Sequence, residues 1–190
     1  LQGWTAGPAA DPRADLNYYF PYLWYDGFHG TPVAAWFTHL EETGHQKVSM
    51  WKNVSRVADL RLTSARIYEG ALSELGMTRL VTTPLDRDKF CPVVHPTARA
   101  RKVVGTSGFV YTSGRKGEGL VKRLMDSPLG KTIDLIASGE GWPCRTIHYP
   151  WDRIQEFYQS LDVYICTSTI EGIGYGVLEA LACGVPVVIP

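Results

Sequence analysis

Residues 164–190, YICTSTIEGIGYGVLEALACGVPVVIP, contain the alternation of elements that decides the fold. The segment opens with a β-branched and aromatic run that is typical of a buried strand. A loop with three glycines follows, and the spacing after it predicts a short helix over 177–183 that stops at Gly184, where a left-handed residue is favoured. Residues 185–189 are predicted as a second apolar strand. The sequence therefore predicts a strand–loop–helix–strand unit of a parallel α/β sheet.

Two carboxylates frame the glycine loop. Glu171 comes before the glycines and Glu179 about one turn into the predicted helix. The glycines would let the backbone approach a ligand closely, and the N–H groups that open the helix favour an anion such as a diphosphate. Ionised carboxylates only accept hydrogen bonds, so sugar and ribose hydroxyls are suitable partners for them beside that anion. The combination indicates a binding site for a nucleotide-sugar.

The run EGIGYGVLE from Glu171 to Glu179, followed by ALACGVPVV, resembles the E-x7-E signature of retaining glycosyltransferases with the GT-B fold. These are the glycogen-synthase-like and mannosyltransferase-like enzymes of the group 1, or family 4, type. The resemblance implies that Glu171 lies against the transferred sugar and has a catalytic role, and that Glu179 binds the ribose of the nucleotide. It further implies donor binding by residues between the two carboxylates: Gly172, Gly174, Tyr175, Gly176 and Val177.

The same glycines allow a second interpretation, the dinucleotide-binding loop of an NAD(P)-dependent oxidoreductase. That fingerprint has the spacing G-x-G-x-x-G at the start of a helix. Here the third glycine, Gly176, comes one residue early. The spacing favours the glycosyltransferase and leaves the oxidoreductase as the alternative.

A second glycine-rich turn, Gly-Arg-Lys-Gly-Glu-Gly over 114–119, follows a strand predicted at 108–113 and precedes a predicted helix at 120–125. An arginine fork and a lysine ammonium at such a place are suited to phosphate, although a solvated basic turn is the alternative. The resemblance implies that Arg115 and Lys116 bind the donor diphosphate. The family usually separates the two residues, whereas here they are adjacent, so which of them contacts which phosphate stays open.

His39 directly follows an apolar strand predicted at 33–38. Ligands of open α/β sheets collect at the carboxyl ends of the strands. Phe37-Thr38-His39 is similar to a Phe-x-His that closes a strand in the N-terminal domain of the family. The resemblance implies that His39 approaches the donor sugar as a catalytic residue, and a surface or capping histidine is the alternative.

The remaining patterns predict the local elements on either side of the motifs. Apolar residues at intervals of three predict a helix over 47–58. Ser64 is predicted to cap the helix that follows the strand at 59–63, and a further strand is predicted at 80–83. Asp152 is predicted to cap the helix that precedes residue 164.

Taken with the resemblance, these elements predict an α/β protein of the GT-B type, with two Rossmann-like parallel-sheet domains. The N-terminal one is expected to be incomplete. The expected limits are a partial acceptor-side region at 1–90, a linker at 91–105 and a donor-nucleotide-binding domain at 106–190 that is truncated at its end.

The composition excludes several other classes of function. The 19 Lys and Arg residues balance 19 Asp and Glu residues, and no basic–aromatic stripe is present, which argues against a nucleic-acid partner. No apolar run approaches the length of a transmembrane segment. The four cysteines lack the paired spacing of metal ligands, and Cys166 and Cys183 fall in predicted core elements, which favours a reducing cytoplasm. We expect no metal site and no cofactor besides the donor.

The resemblance implies a retaining hexosyltransferase that moves a sugar from a nucleotide-diphosphate sugar, of the UDP or GDP type, to an acceptor hydroxyl. The acceptor could be a glycan, a lipid-linked molecule or a small molecule. Because the acceptor-side region is expected to be incomplete, weak or absent transfer is expected from these residues alone. A non-catalytic nucleotide-sugar-binding module and a GT-B epimerase or phosphorylase stay open as alternatives.

Overall fold

The computed structural model describes residue 3 and residues 5–40, 45–93 and 99–190, without the side chain of residue 45. Within these residues the chain divides into two compact units, 1–83 and 84–190. Every strand pairing in both sheets is parallel, which confirms the predicted α/β class. Residues 94–98 of the predicted linker lie outside the described residues.

The first unit has a four-stranded sheet in the order β1-β2-β3-β4. Its strands are β1 (Asn17–Tyr19), β2 (Val33–Phe37), β3 (Leu60–Thr63) and β4 (Thr78–Leu80). The chain passes from β2 to β3 through α1 (His45–Val57), and from β3 to β4 through α2 (Arg66–Ser73). Each strand lies beside the one that precedes it in the chain, which is the usual arrangement of consecutive strands.

Aromatic side chains form much of the core of the first unit. β2 is buried along its whole length. Its last residue, Phe37, stacks on Tyr22 with ring centroids 5.3 Å apart and meets Trp51 of α1 edge-on at 5.4 Å. Offset and edge-on pairs of this kind are the favoured aromatic contacts. They account for the aromatic-rich segment before β2 as core packing, while Trp24 and Phe20 stay exposed.

The predicted cap at Ser64 is wrong. α2 begins at Arg66, and the residue before it, Ala65, makes no side-chain cap. The Ser64 hydroxyl instead donates to the carbonyl of Val81, at 2.9 Å, beyond the end of β4. A small hydroxyl side chain can bond to the neighbouring backbone or to a more distant partner, and here a tertiary partner is preferred.

The second unit has a five-stranded sheet in the order β7-β6-β5-β8-β9. Its strands are β5 (Val103–Phe109), β6 (Asp134–Glu140), β7 (Arg145–Thr146), β8 (Val163–Ile165) and β9 (Val187–Val188). Three α-helices accompany them: α3 (Glu118–Asp126), α4 (Ile154–Gln159) and α5 (Tyr175–Ala182). The central strand β5 has β6 and β7 on one side and β8 and β9 on the other. The order in which strands are added to the sheet therefore reverses at β5. Open α/β sheets commonly bind ligands at such a reversal.

The strand predicted at 108–113 is wrong over most of its length, because β5 starts at Val103, within the predicted linker. Residues 105–108 are glycine or small polar residues, so this segment lacks the apolar pattern that predicts a strand. A Cβ on Gly105 would come within 2.5 Å of the Leu161 side chain, so a larger residue there would force this buried side chain to move. Close packing, rather than strand propensity, decides this element.

Two further differences concern the second unit. Residues 84–90, predicted to end the N-terminal region, belong to this unit, since Phe90 is buried in a cluster with Tyr158 and Leu161. The predicted cap at Asp152 is wrong: it lies inside a 3-10 turn, Trp151–Arg153, and α4 begins only at Ile154 without a side-chain cap.

Candidate functional site

The loop after β8 runs into α5 through Gly174. The φ angle of Gly174 is +67°, in the left-handed region that glycine adopts at little cost. Helical bonding begins at once, because the Val177 N–H donates to the Gly174 carbonyl at 2.9 Å. α5 starts two residues earlier than predicted and is followed by Gly184 with φ +75°, the left-handed end that the sequence predicts. The N–H groups of its first turn lie at the end of the loop that carries Glu171, where they favour an anion.

Gly176 has a packing role that sequence reasoning missed. A Cβ added there would overlap the Tyr164 hydroxyl of β8 and approach the Ser107 Oγ of β5 to 2.8 Å. The start of α5 therefore lies directly on two hydroxyl groups of the sheet. The motif's third glycine is needed inside the protein, whether or not it also lets a ligand approach.

The structure brings the basic turn and the glycine loop together. The Lys116 Nζ donates to Glu171 Oε1 at 2.5 Å. Thr167 donates through its hydroxyl to the Lys116 carbonyl at 2.7 Å, and the Thr169 N–H donates to the Arg115 carbonyl at 2.9 Å. The basic turn and the glycine loop therefore form one continuous surface at the carboxyl ends of β5 and β8.

Gly117 makes this close approach possible. Its φ angle is +70°, and a Cβ there would overlap the carbonyl oxygen of Thr167. Any other residue would strain the backbone and push the two loops apart.

Glu171 is held as an anion by its neighbours. Burial alone would raise the pKa of Glu171, but Lys116 and Ser168 donate hydrogen bonds to it and Arg115 adds positive charge, so its pKa lies below the ordinary value. The side chains of Glu171 and Lys116 are 29% and 13% exposed, which leaves the pair partly open to solvent. A ligand can therefore reach both charges.

Arg115 is oriented by two contacts on the same surface. Its guanidinium lies 4.5 Å from the ring centroid of Tyr111, a cation–π arrangement. Its Nη1 donates to the carbonyl of Ile170 at 3.3 Å. The guanidinium is thereby held next to the residue that precedes Glu171.

Glu179 is almost fully buried, with only 5% of its surface exposed. Burial raises the pKa of Glu179 above its ordinary value, although the Tyr158 hydroxyl and the Lys89 ammonium oppose the rise. Sequence reasoning missed Tyr158 and Tyr164 as neighbours of this carboxylate, because a tyrosine in an apolar helix or strand looks like ordinary core. The two half-buried positions Gly172 and Val177 and the exposed Tyr175 complete the predicted donor set around α5.

His39 lies in the first unit, two residues beyond the end of β2. It is half-buried, and its carbonyl accepts a hydrogen bond from the Tyr22 hydroxyl at 3.4 Å. The donor-site residues belong to the second unit. The approach of His39 to a donor sugar stays a prediction.

Within the described ranges, no three His, Cys, Asp or Glu side chains are grouped as metal ligands. Among the helices of the same residues, none has the length and apolar character needed to cross a membrane.

One family profile matches part of the second unit. Residues 144–189 match the profile of the family described as glycosyl transferases group 1. Comparison with curated protein sequences gave no significant match.

Several solved structures superpose on most of the chain, among them the following three. Sucrose-phosphate synthase from Thermosynechococcus elongatus has a TM-score of 0.67 and 17% identity, over 85% of this chain and 50% of its own. S. aureus TarM, as a variant in complex with fondaparinux, α-GlcNAc-glycerol and UDP, has a TM-score of 0.64 and 11% identity, over 88% and 38%. The pneumococcal O-GlcNAc transferase GtfA, in complex with UDP and GlcNAc, has a TM-score of 0.62 and 14% identity, over 84% and 37%.

The chain thus spans half or less of the length of these proteins. At such low identities the superpositions show the fold, and the profile match covers the segment that carries the two carboxylates. Together they confirm the resemblance predicted from the run between Glu171 and Glu179: residues 144–189 match the profile of the glycosyl transferases group 1 family, and the chain has part of a GT-B fold.

Proposed function

We propose that the chain forms the donor site of a retaining glycosyltransferase, which takes a hexose from a nucleotide-diphosphate sugar and passes it to an acceptor hydroxyl. The observation that carries the proposal is the ion pair between Lys116 and Glu171, which joins a basic turn, a carboxylate and the start of α5 in one place. The structures of GtfA and TarM were determined with UDP, which supports a uridine nucleotide as the first donor to test.

The diphosphate would lie on the positive side of this surface. Arg115 offers a planar fork, Lys116 an ammonium, and the first turn of α5 its N–H groups. The leaving diphosphate gains negative charge as the bond to the sugar breaks, and donors placed beforehand stabilise that charge in the transition state. These groups provide the positive charge without a metal ion, so the proposed reaction needs no added cofactor.

Glu171 would face the sugar. Since its pKa is held below the ordinary value, it is negative at neutral pH and can offset positive charge that develops on the sugar ring. The hydrogen bond from Lys116 to Glu171 joins the cation proposed to bind the diphosphate to the carboxylate proposed to face the sugar. Glu179 would accept hydrogen bonds from the ribose diol, and His39 would be a second catalytic residue.

The test is calorimetric titration of the chain with UDP, GDP, ADP and NAD, with and without EDTA. We expect one of the three nucleoside diphosphates to bind, the same affinity in EDTA, and weaker or no binding of NAD. Preferential binding of NAD would instead favour the dinucleotide interpretation of the glycine loop.

A second measurement concerns the reaction itself. Nuclear magnetic resonance of the first product formed from an α-linked donor reports the anomeric configuration, and retention is expected. Absent donor hydrolysis while the nucleotide still binds would favour a non-catalytic nucleotide-sugar-binding module, whereas weak or absent transfer is expected from these residues alone. The cytoplasmic location stays a prediction from cysteine usage.

A further inference from the structure

Three hydroxyl groups meet beneath the start of α5. Ser107 Oγ of β5 lies 2.9 Å from the Tyr164 hydroxyl of β8 and 3.2 Å from the Tyr158 hydroxyl of α4. Both tyrosines are almost fully buried, and burial raises the pKa of each well above its ordinary value, so both stay protonated. The cluster therefore consists of three hydroxyls in contact with one another inside the protein.

The direction of these hydrogen bonds follows from the number of protons. Each hydroxyl has one proton to donate. Tyr158 also packs in the same core cluster as Ala180, the residue after Glu179, and its hydroxyl lowers the pKa of the Glu179 carboxyl as a hydrogen-bond donor does. When ionised, that carboxylate can only accept. If Tyr158 donates to Glu179, the bond with Ser107 has to be donated by Ser107, and the bond between Ser107 and Tyr164 has to be donated by Tyr164. The result is a directed chain from Tyr164 through Ser107 and Tyr158 to Glu179, in which each bond polarises the next.

The same cluster fixes the helix that carries Glu179. Gly176 lies against the Tyr164 and Ser107 hydroxyls, with no room for a Cβ between them. One buried cluster thus sets both the position of the first turn of α5 and the surroundings of a carboxylate one turn further along.

Building on the proposed function, we propose that Tyr158 is a positioning residue for Glu179, at the end of the chain Tyr164–Ser107–Tyr158. One carboxylate oxygen is committed to the Tyr158 hydroxyl and the other is kept to accept a ribose hydroxyl. Tyr158 itself touches no nucleotide, so its effect on binding passes through Glu179.

The charge of Glu179 gives this arrangement a measurable signature. The titratable groups that interact with Glu179 are Lys89, Tyr158, Tyr164 and Cys183. Burial raises the pKa of the carboxyl, and the Tyr158 donation is the larger of the two effects that oppose the rise. Without this donor the pKa of Glu179 rises further. Because only the ionised form offers both oxygens as acceptors without a proton of its own, nucleotide binding should then be lost at a higher pH than in the wild type.

The decisive experiment uses the full chain with the variants Tyr158→Phe, Ser107→Ala and Tyr149→Phe. Tyr158→Phe removes only the hydroxyl, and Ser107→Ala breaks the chain one step earlier. Tyr149 packs against Phe157 in the same core cluster but has no part in the chain, so Tyr149→Phe is the matched control. The side-chain carboxyl carbon of Glu179 is followed by nuclear magnetic resonance as a function of pH, without ligand.

We expect Glu179 to titrate at a higher pH in Tyr158→Phe, with a smaller upward shift in Ser107→Ala and none in Tyr149→Phe. Affinities for UDP, GDP and ADP are measured over the same pH range. Those of Tyr158→Phe should match the wild type at the alkaline end and fall about tenfold below it at the acid end, the loss of one hydrogen bond to a charged group.

The outcomes separate the two proposals. An unchanged titration of Glu179 in Tyr158→Phe overturns the positioning role, whatever the nucleotides do. A shifted titration with no binding of any nucleotide by the wild type overturns the donor site. Equal loss of affinity at every pH, without a shift, would mean that the hydroxyl serves only the packing of α4, and this too overturns the positioning role.

Discussion

Lys116 and Glu171 are the residues on which the proposed chemistry most depends, and their pairing also stabilises the fold. Removing the ammonium in Lys116→Ala leaves a half-buried carboxylate without its main partner. For a pair between the fully buried and fully exposed cases we expect a loss of about 1–2 kcal/mol in the free energy of unfolding at neutral pH. Urea denaturation measures it. The control is Lys122→Ala, whose ion pair with Asp126 is exposed and should matter by only a few tenths of a kcal/mol.

The pH dependence of the same variant tests the cause. The pKa of Glu171 is lower in the folded state than in the unfolded one, so the pair stabilises the protein above the unfolded pKa and this contribution is lost as the pH falls through the folded value. The stability of the wild type should therefore fall towards that of Lys116→Ala in acid. A difference between the two that is constant with pH would contradict an electrostatic origin.

Arg115 is expected to distinguish nucleoside diphosphates from nucleosides. In Arg115→Ala, UDP should bind at least about tenfold more weakly because a charged hydrogen bond is lost, while any binding of uridine stays the same. Arg115→Lys keeps the charge but loses the planar contact with Tyr111, so it should recover only part of the affinity. Arg101→Ala is the control, since Arg101 pairs with Asp134 at the other end of the strands. Equal losses for UDP and uridine would exclude a phosphate role.

At the scale of single residues, the sequence predicted the charged residues of the site but not the hydroxyl groups behind them. The run from Glu171 to Glu179 and the basic turn predicted residues that the structure does bring together, because strand ends of one parallel sheet share an edge. The contacts of Tyr158 with Ser107 and Glu179 join three elements far apart in the sequence. No local pattern marks such contacts.

Among the elements, the start of α5 is the most constrained. Gly176→Ala would press a methyl group onto the Tyr164 hydroxyl and Ser107. Overpacking of this kind should cost about 1–3 kcal/mol of stability and weaken nucleotide binding. The control is Gly119→Ala in α3, where an added Cβ meets nothing within 4 Å and the helix should gain slightly. Thermal denaturation compares the two.

A double variant identifies the cause of that loss. Gly176→Ala combined with Tyr164→Phe removes the oxygen that the new methyl group would overlap. The two changes should therefore be less harmful together than the sum of their separate effects, by about 0.5–3 kcal/mol. Strict additivity would show that the helix start is disturbed for another reason.

Element type followed from the sequence more reliably than element boundaries. The amphipathic spacing of α1 and the glycine after α5 predicted both helices. β5 was predicted five residues too late, because Gly105 is chosen for contact with Leu161 rather than for strand propensity. The predicted caps at Ser64 and Asp152 failed because a polar side chain near a helix start has several backbone partners within reach, and the sequence does not say which it takes.

For the molecule as a whole, the parallel α/β class and the GT-B likeness were predicted from the sequence, whereas the division at 83/84 was not. Residues 84–90 lie before the predicted linker, yet the second core takes up Phe90. Hydrophobic patterning shows that a residue is buried without showing in which of two cores it is buried.

Hydrogen exchange can test whether the donor binds to the second unit alone. If the donor site lies in the second unit, saturating UDP should slow amide exchange in α5 and in the turn at 114–117, and leave β2 and α1 of the first unit unchanged. Mass spectrometry of the exchanged peptides measures this. Slower exchange around His39 as well would show that the bound donor reaches the first unit.

The junction between the basic turn and the glycine loop determines which changes of side chain the site can tolerate. Thr167 and Thr169 hold the turn by the carbonyl groups of residues 115 and 116, and Gly117 gives it the necessary backbone angle. At residues 115 and 116, the path of the turn is therefore set by backbone atoms, which every amino acid has. Exchanging the two side chains, as in Arg115→Lys with Lys116→Arg, should therefore leave the path of the loop unchanged, although it alters the contacts with Tyr111 and Glu171.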